Sequence, residues 1–147
     1  MAKAHRRSAR GFALQVLYAR DVDPSVAVDS AVTGWPESFR LDVDPEAAAF
    51  SAELVNGVVL HAVRVDDLIT AASRNWRLER MGRVDRNILR LGVAEMLHFP
   101  NTPVGVVINE AVELAKRYGT GDSSAFVNGV LDRVATALGR QAPADTE

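Results

Sequence analysis

Cysteine is absent from the 147-residue sequence, which excludes disulfides, thiolate nucleophiles, zinc fingers and iron–sulfur clusters. The three histidines, His5, His61 and His98, stand far apart and form no His-x-x-x-His or Glu-x-x-His pair, so no metal site is expected. No apolar run approaches the roughly 18 residues of a membrane span, and the N-terminus lacks the apolar stretch of a signal peptide. These absences favour a chain that works in the cytoplasm, away from membranes.

Catalytic patterns are missing as well. Gly119 and Gly121 flank a predicted helix start but lack the Gly-Lys-Ser/Thr that completes a phosphate-binding loop. Ser123 has no neighbouring histidine, so helix capping is the favoured interpretation. Glu110 is followed by a second carboxylate three residues later, and both are expected to lie on a solvated helix face. The sequence therefore predicts a chain that is not an enzyme and needs no cofactor.

The charges are unevenly distributed. Lysine and arginine number 17 and aspartate and glutamate 19, for a net charge of −2, yet the first twenty residues contain no acid. Residues 21–46 carry seven acids and one base. Guanidinium groups pair with phosphates and stack on bases. The basic segment therefore predicts an RNA- or DNA-binding arm, with a disordered solubilising terminus as the alternative; its bases are Lys3, Arg6, Arg7, Arg10 and Arg20.

A second arginine series follows at intervals of three or four residues. On a continuous helix it would form one basic stripe, whereas a helix that begins only near Val84 would leave part of the series in a loop. Glu79 and Asp85 lie within the series and are alternative ion-pair partners. The series is thus either a functional surface or a set of local ion pairs; it comprises Arg74, Arg77, Arg80, Arg83, Arg86 and Arg90.

Apolar residues recur at intervals of three and four along most of the chain, which predicts an all-α fold of about seven helices without strands. Ser8 is the predicted N-cap of the first helix, and a short helix is expected over roughly 24–32. A long apolar pattern begins at Pro45, with a break expected near Val65 and Asp66. The pattern is typical of one helical unit.

The second half of the chain gives sharper helix signals. A helix over about 84–98 is apolar at almost every position that is not Arg or Glu, so it is predicted to be central. Pro103 and Asp122 begin the last two helices. We expect a single domain over 1–140, divided into sub-bundles of about 8–73 and 80–139, and a loose tail over 141–147.

Residues 122–129 combine a predicted loop, a helix cap and an aromatic side chain. If Phe126 is exposed, it offers a face on which a base can stack, and Asp122 offers hydrogen bonds. The alternative is that Phe126 is a core residue at helical spacing. Both interpretations fit the sequence.

Several motifs occur together in a characteristic order. They are Arg-Arg-Ser-Ala-Arg at 6–10, Ala-Leu-Gln-Val-Leu-Tyr at 13–18, Val-Asp-Arg-Asn-Ile-Leu-Arg-Leu at 84–91, Pro103, Ile-Asn-Glu-Ala-Val-Glu-Leu-Ala-Lys at 108–116 and Phe-Val-Asn-Gly-Val-Leu-Asp at 126–132. In this order the sequence strongly resembles the bacterial NusB transcription antitermination family. The resemblance spans residues 6–132, with one departure: Ala94 stands where family members often have an aromatic residue before the glutamate.

The resemblance implies two small helical bundles and a non-enzymatic role. NusB-like proteins bind the boxA element of nascent ribosomal RNA transcripts, a single-stranded target, together with the ribosomal protein NusE, and the pair helps to load an antitermination complex on RNA polymerase. By matching position, Asp85 and the surface around Arg86 would meet NusE. The residues that would face RNA are Lys3, Arg6, Arg7, Arg10, Gln15, Tyr18, Asp122 and Phe126. An alternative is a protein–protein adaptor that acts through residues 74–90 and binds little RNA.

Overall fold

A computed structural model describes residues 3–25, 45–74 and 76–140, and the side chains from residue 6 onward within them. These ranges contain six α-helices, one 3-10 turn and no strand, so the prediction of an all-α fold is confirmed. The short helix expected over 24–32 falls mostly outside the described residues, as does the tail over 141–147. The helices are α1 (Lys3–Val22), α2 (Pro45–Leu60), α3 (Ala62–Ala72), α4 (Arg83–His98), α5 (Val104–Tyr118) and α6 (Ser123–Ala137), with the 3-10 turn at Leu78–Arg80.

Two helix boundaries differ from the sequence-based prediction. Helix α1 begins at Lys3, so Ser8 is an exposed residue within it rather than its N-cap. The break expected near Val65 lies earlier, at His61, where φ is −119° and ψ is 32°. The apolar spacing continues across this turn because α3 buries Val65 in the same core, so periodicity alone does not locate the break.

Among the described residues no single helix has the length and apolarity to cross a membrane, although α2 and α3, bent by 79°, pass that test as a pair.

Helix α4 is the centre of the fold, as its composition predicts. It contacts each of the other five helices within the described ranges. It runs antiparallel to α1, because Arg86 near its start pairs with Asp21 at the end of α1, and Glu95 near its end pairs with Arg10. The division into sub-bundles at residues 74–83 stays a prediction.

The departure from the family pattern at Ala94 has a packing counterpart. Ala94 is buried on α4, and α2 passes close to it at Gly57. A Cβ atom built on Gly57 would lie 3.7 Å from the Cβ of Ala94. The two small residues therefore let α2 and α4 approach closely, where a bulkier side chain at position 94 would have to displace α2.

Candidate nucleic-acid interface

One face of α1 lies in solvent along most of its length. Arg7, Gly11, Gln15, Tyr18 and Val22 follow one another at intervals of three or four residues, which places them on successive turns of one face. The side chain of Arg7 is 54% exposed and Tyr18 is 41% exposed, with Gln15 half-buried between them. Three of the residues expected to face RNA therefore share this surface, called here the α1 face.

The guanidinium of Arg7 is held at the edge of the α1 face. Its Nε donates to Oε1 of Glu110 at 3.0 Å and its Nη2 donates to Oε2 at 2.8 Å. The hydrogen bond and the charge of Glu110 raise the pKa of Arg7 above its usual value. Glu110 itself is buried, so the expectation that it lies on a solvated face is wrong. The pair fixes a permanent, partly exposed cation on α1.

Arg10 occupies the core instead of the surface. It is 4% exposed, and its Nε and Nη2 donate to the two carboxylate oxygens of Glu95 at 2.8 and 2.6 Å. Its Nη1 also lies 3.8 Å from Oε1 of Glu110. The expectation that Arg10 faces RNA is therefore corrected: a buried guanidinium that is paired on α4 cannot follow a phosphate chain, and Arg10 stabilises α1 from beneath.

Arg6 has an intermediate position. Its Cζ atom lies 4.7 Å from the ring centroid of Phe50, and its Nη1 donates to Oγ1 of Thr102 at 3.4 Å. The side chain is half-buried, so Arg6 is stacked on α2 while part of it reaches solvent. Lys3 begins α1, and its side chain lies outside the described residues.

The turn between α5 and α6 presents the second group of expected RNA residues. Gly119 is the C-cap of α5, and the backbone N–H of Thr120 donates to Oγ of Ser123 at 2.9 Å. Asp122 is the N-cap of α6, but its side chain makes no capping hydrogen bond and is exposed. Phe126 is half-buried: part of its ring packs against the core and part is exposed to solvent. The stacking surface and the core residue that the sequence offers as alternatives are therefore each correct for part of the ring.

A groove of about 470 Å³ runs between α5 and α6 and was not expected from the sequence. Its polar lining comes from Asn109, Ser124 and Asn128. Side-chain amides both donate and accept hydrogen bonds, as the edges of unpaired bases require. The sequence gives no signal for this groove, because its residues are read as ordinary helix surface until α5 and α6 are packed side by side.

The expected partner surface is anchored by a residue that the sequence did not single out. Oδ2 of Asp21 accepts hydrogen bonds from Nε and Nη2 of Arg86 at 2.9 and 2.7 Å and from Nδ2 of Asn87 at 2.8 Å, and lies 3.6 Å from Nη1 of Arg90. Burial raises the pKa of Asp21, but these hydrogen bonds and charges outweigh burial and lower it overall. Arg86 is only 12% exposed and Asp85 is half-buried beside it.

Comparison with known proteins covers nearly the whole chain. Residues 7–136 match the NusB family. The transcription antitermination protein NusB of Sorangium cellulosum is 51% identical over 92% of this chain and 94% of its own length. The T. maritima NusB structure is 34% identical, with a TM-score of 0.80 over 94% of this chain and 93% of that one. A crystal structure of the antitermination factors NusB and NusE in complex with dsRNA is 30% identical, with a TM-score of 0.83 over 92% and 99% of the two chains. Identity and coverage at this level are shared only among proteins of one family, and this chain belongs to the NusB family.

Proposed function

We propose that this protein is a transcription antitermination factor that binds boxA-like RNA in nascent ribosomal RNA transcripts together with the ribosomal protein NusE. Its further partner is then the antitermination complex on RNA polymerase. The observation that carries the proposal is the solvent-exposed α1 face, with its basic and aromatic side chains. The chain that presents this face matches the NusB family over residues 7–136. A related NusB was crystallised with NusE and dsRNA, which supports NusE and RNA as the two kinds of partner.

The α1 face supplies the physical means of binding. Arg7 offers a fixed charge to a phosphate, and Tyr18 offers a ring face to a base. Gln15 lies between them and can hydrogen-bond to a base edge. Phosphate contacts by themselves carry no sequence information, so we place sequence preference in these polar and aromatic groups and in NusE.

The turn before α6 completes the proposed RNA surface. Asp122 and Phe126 stand at the start of α6, one turn apart. The groove beside them adds the amides of Asn109 and Asn128. The proposed contact for NusE is a separate surface, formed by Asp85 and the residues around Arg86. We further propose that the protein acts in the cytoplasm without catalysis, as one helical unit over 1–140.

A protein–protein adaptor is the second candidate, and one observation favours it. Arg10 forms a buried ion pair with Glu95, and Arg7 forms an ion pair with Glu110. The basic N-terminal segment therefore has fewer unpaired charges for RNA than its sequence suggests. In that case Asp85→Lys abolishes capture of NusE, while the isolated chain has negligible affinity for RNA.

The test is a titration of boxA-like and scrambled single-stranded RNA, each with and without NusE. We expect tighter binding to the boxA-like RNA, with the preference strongest when NusE is present. Equal binding to both RNAs under both conditions would contradict the proposal. Capture of NusE without any RNA binding would establish the adaptor, and a duplex RNA of the same sequence tests whether the strand must be single.

A further inference from the structure

The second arginine series divides into two halves in the folded protein. Arg86 and Arg90 are paired with Asp21 and Asp66. The other four arginines are exposed, and none forms an ion pair within the described part of the chain, so the local pairs expected with Glu79 and Asp85 are not formed there. With the exposed Trp76 they make up what is called here the basic-aromatic patch: Arg74, Trp76, Arg77, Arg80 and Arg83.

Trp76 is the unusual member of this patch. It is 54% exposed, although burial of an indole ring is one of the larger apolar gains a chain can make. The backbone N–H of Trp76 donates to the carbonyl of Ser73 at 3.2 Å, and both Ser73 and Met81, on either side of Trp76 in the chain, are buried. A large aromatic surface is therefore left in solvent between two buried residues of the chain.

Arg74 has an unusual backbone conformation. Its φ of 60° makes it the only non-glycine residue with positive φ in the described ranges. Arg74 directly follows Ser73, which is the C-cap of α3. The position after a C-cap is usually occupied by glycine, which adopts the left-handed conformation without strain. Strain of this kind persists where the surrounding structure holds the residue in place, and strained residues are concentrated at functional sites. Arg74 is exposed and lies two positions before Trp76 in the sequence.

The patch adjoins the C-terminal end of the α1 face. Nη1 of Arg86 donates to the carbonyl of Leu78 at 3.3 Å, and Nη2 of the same side chain donates to Oδ2 of Asp21 at 2.7 Å. The 3-10 turn and the end of α1 are thus tied to one arginine. Tyr18 lies one turn before Asp21 on α1. An RNA strand that leaves the α1 face at this end meets the four exposed arginines of the patch, among which the exposed acid Glu79 also lies.

We propose that the basic-aromatic patch is a second contact for single-stranded RNA, additional to the α1 face. Unpaired guanidinium groups bind phosphates, and an indole ring stacks on an unpaired base. A single-stranded nucleic acid presents both phosphates and unpaired bases, whereas an acidic protein surface presents carboxylates alone. The inference rests on the proposed function in one respect: the RNA that reaches the patch is the RNA bound at the α1 face.

The experiment uses full-length protein carrying Trp35→Phe, which leaves Trp76 as its single tryptophan. Titration with a short oligouridylate and with boxA-like RNA is expected to quench the emission of Trp76 by stacking. Trp76→Ala, measured with a labelled RNA, is expected to weaken binding about tenfold. Unchanged emission together with unchanged affinity overturns the proposal.

Charge is tested with a matched pair of exposed arginines. Arg77→Gln in the patch is expected to lower the slope of log affinity against log salt by about 0.7, the value for one phosphate contact on a single strand. Arg64→Gln on α3 removes the same charge elsewhere and is expected to leave the slope unchanged. Equal slopes for the two variants overturn the proposal.

A third variant separates binding from folding. Arg74→Gly relieves the left-handed strain, so the melting temperature is expected to rise by about 3 °C while RNA affinity falls. A rise without weaker binding contradicts a role for Arg74. If the patch variants lose NusE and keep RNA, the surface is a protein contact and the inference fails. If Arg7→Ala weakens RNA binding and the patch variants do not, the proposed function stands without the patch.

Discussion

Arg10 and Glu95 form a buried, two-pronged ion pair between α1 and α4, with N–O distances of 2.8 and 2.6 Å. The guanidinium fork matches the carboxylate geometry, which compensates both charges for the water they lose. The arginine-rich start of the chain is therefore two things in the folded protein: a buried anchor at Arg10 and a surface at Arg7. Both guanidinium groups approach Glu110, but Arg10 is buried against α4 whereas Arg7 lies at the solvent-exposed edge of α1.

Removing one partner of this pair leaves a buried charge without compensation. Arg10→Met is expected to lower the free energy of unfolding by about 3–5 kcal/mol. The double variant Arg10→Met with Glu95→Leu replaces both charges by apolar side chains and is expected to recover most of that loss. Urea unfolding of the two single variants and the double variant completes the cycle. A double variant as unstable as the worse single one would contradict the pairing.

The arginines of the arm are expected to differ in their effect on RNA binding. Arg7→Ala should weaken binding and lower the salt slope by about 0.7, since Arg7 is the exposed one. Arg10→Lys keeps the charge in the core and should leave the slope unchanged in the folded protein. Filter binding over a series of salt concentrations measures both. A larger slope change for Arg10 than for Arg7 would place the RNA on the other side of α1.

Asp21 is expected to make stability depend on acid pH. Its pKa is lowered in the folded state, so its contribution is complete above the unfolded value of about 3.9 and is lost as the pH falls through the folded value. Asp21→Asn should lower the free energy of unfolding by about 2 kcal/mol at neutral pH. Below about pH 4 the difference from the unmodified protein should shrink.

Denaturant unfolding between neutral pH and pH 3 checks this expectation. Asp67→Asn is a suitable control because Asp67 is exposed on α3 and makes no ion pair within the described residues. Its effect on stability should stay within about 0.5 kcal/mol. A constant difference between Asp21→Asn and the unmodified protein across the whole range would show that Asp21 contributes through packing and not through its charge.

Two glycines should respond to alanine in opposite directions. A Cβ atom on Gly11 would meet nothing within 4 Å on the α1 face, so Gly11→Ala should stabilise α1 by about 0.5–1 kcal/mol. A Cβ atom on Gly119 would clash with Oγ of Ser123 and lie 2.8 Å from the carbonyl oxygen of Ala115. Gly119→Ala should therefore destabilise the protein by about 2 kcal/mol.

Thermal and urea unfolding of the two variants measure this contrast. Because Ser123 also accepts a hydrogen bond from Thr120, Gly119→Ala should additionally weaken RNA binding if the turn positions Asp122 as proposed. An equally stable Gly119→Ala protein would show that the turn has a second conformation of similar energy.

Helix positions were largely predictable from local patterns. The apolar pattern predicts a central helix over about 84–98, and the helix runs from Arg83 to His98; Asp122 begins the last helix as its sequence indicates. The break that the sequence predicts near Val65 lies at His61, because the apolar spacing continues through the turn. Periodicity reports which residues face the core, and a turn between two helices that share one core does not interrupt it.

The sequence by itself determined the helical class, the central position of α4, the family and the set of basic and aromatic residues from which an RNA surface can be made. Only the tertiary structure decided which of those residues are available. Arg7 pairs with a carboxylate 103 positions away and Arg10 with one 85 positions away, whereas Arg77 and Trp76 stay in solvent. Local spacing fixes the face on which a side chain lies, but ion pairing depends on charges that folding brings together from distant parts of the chain.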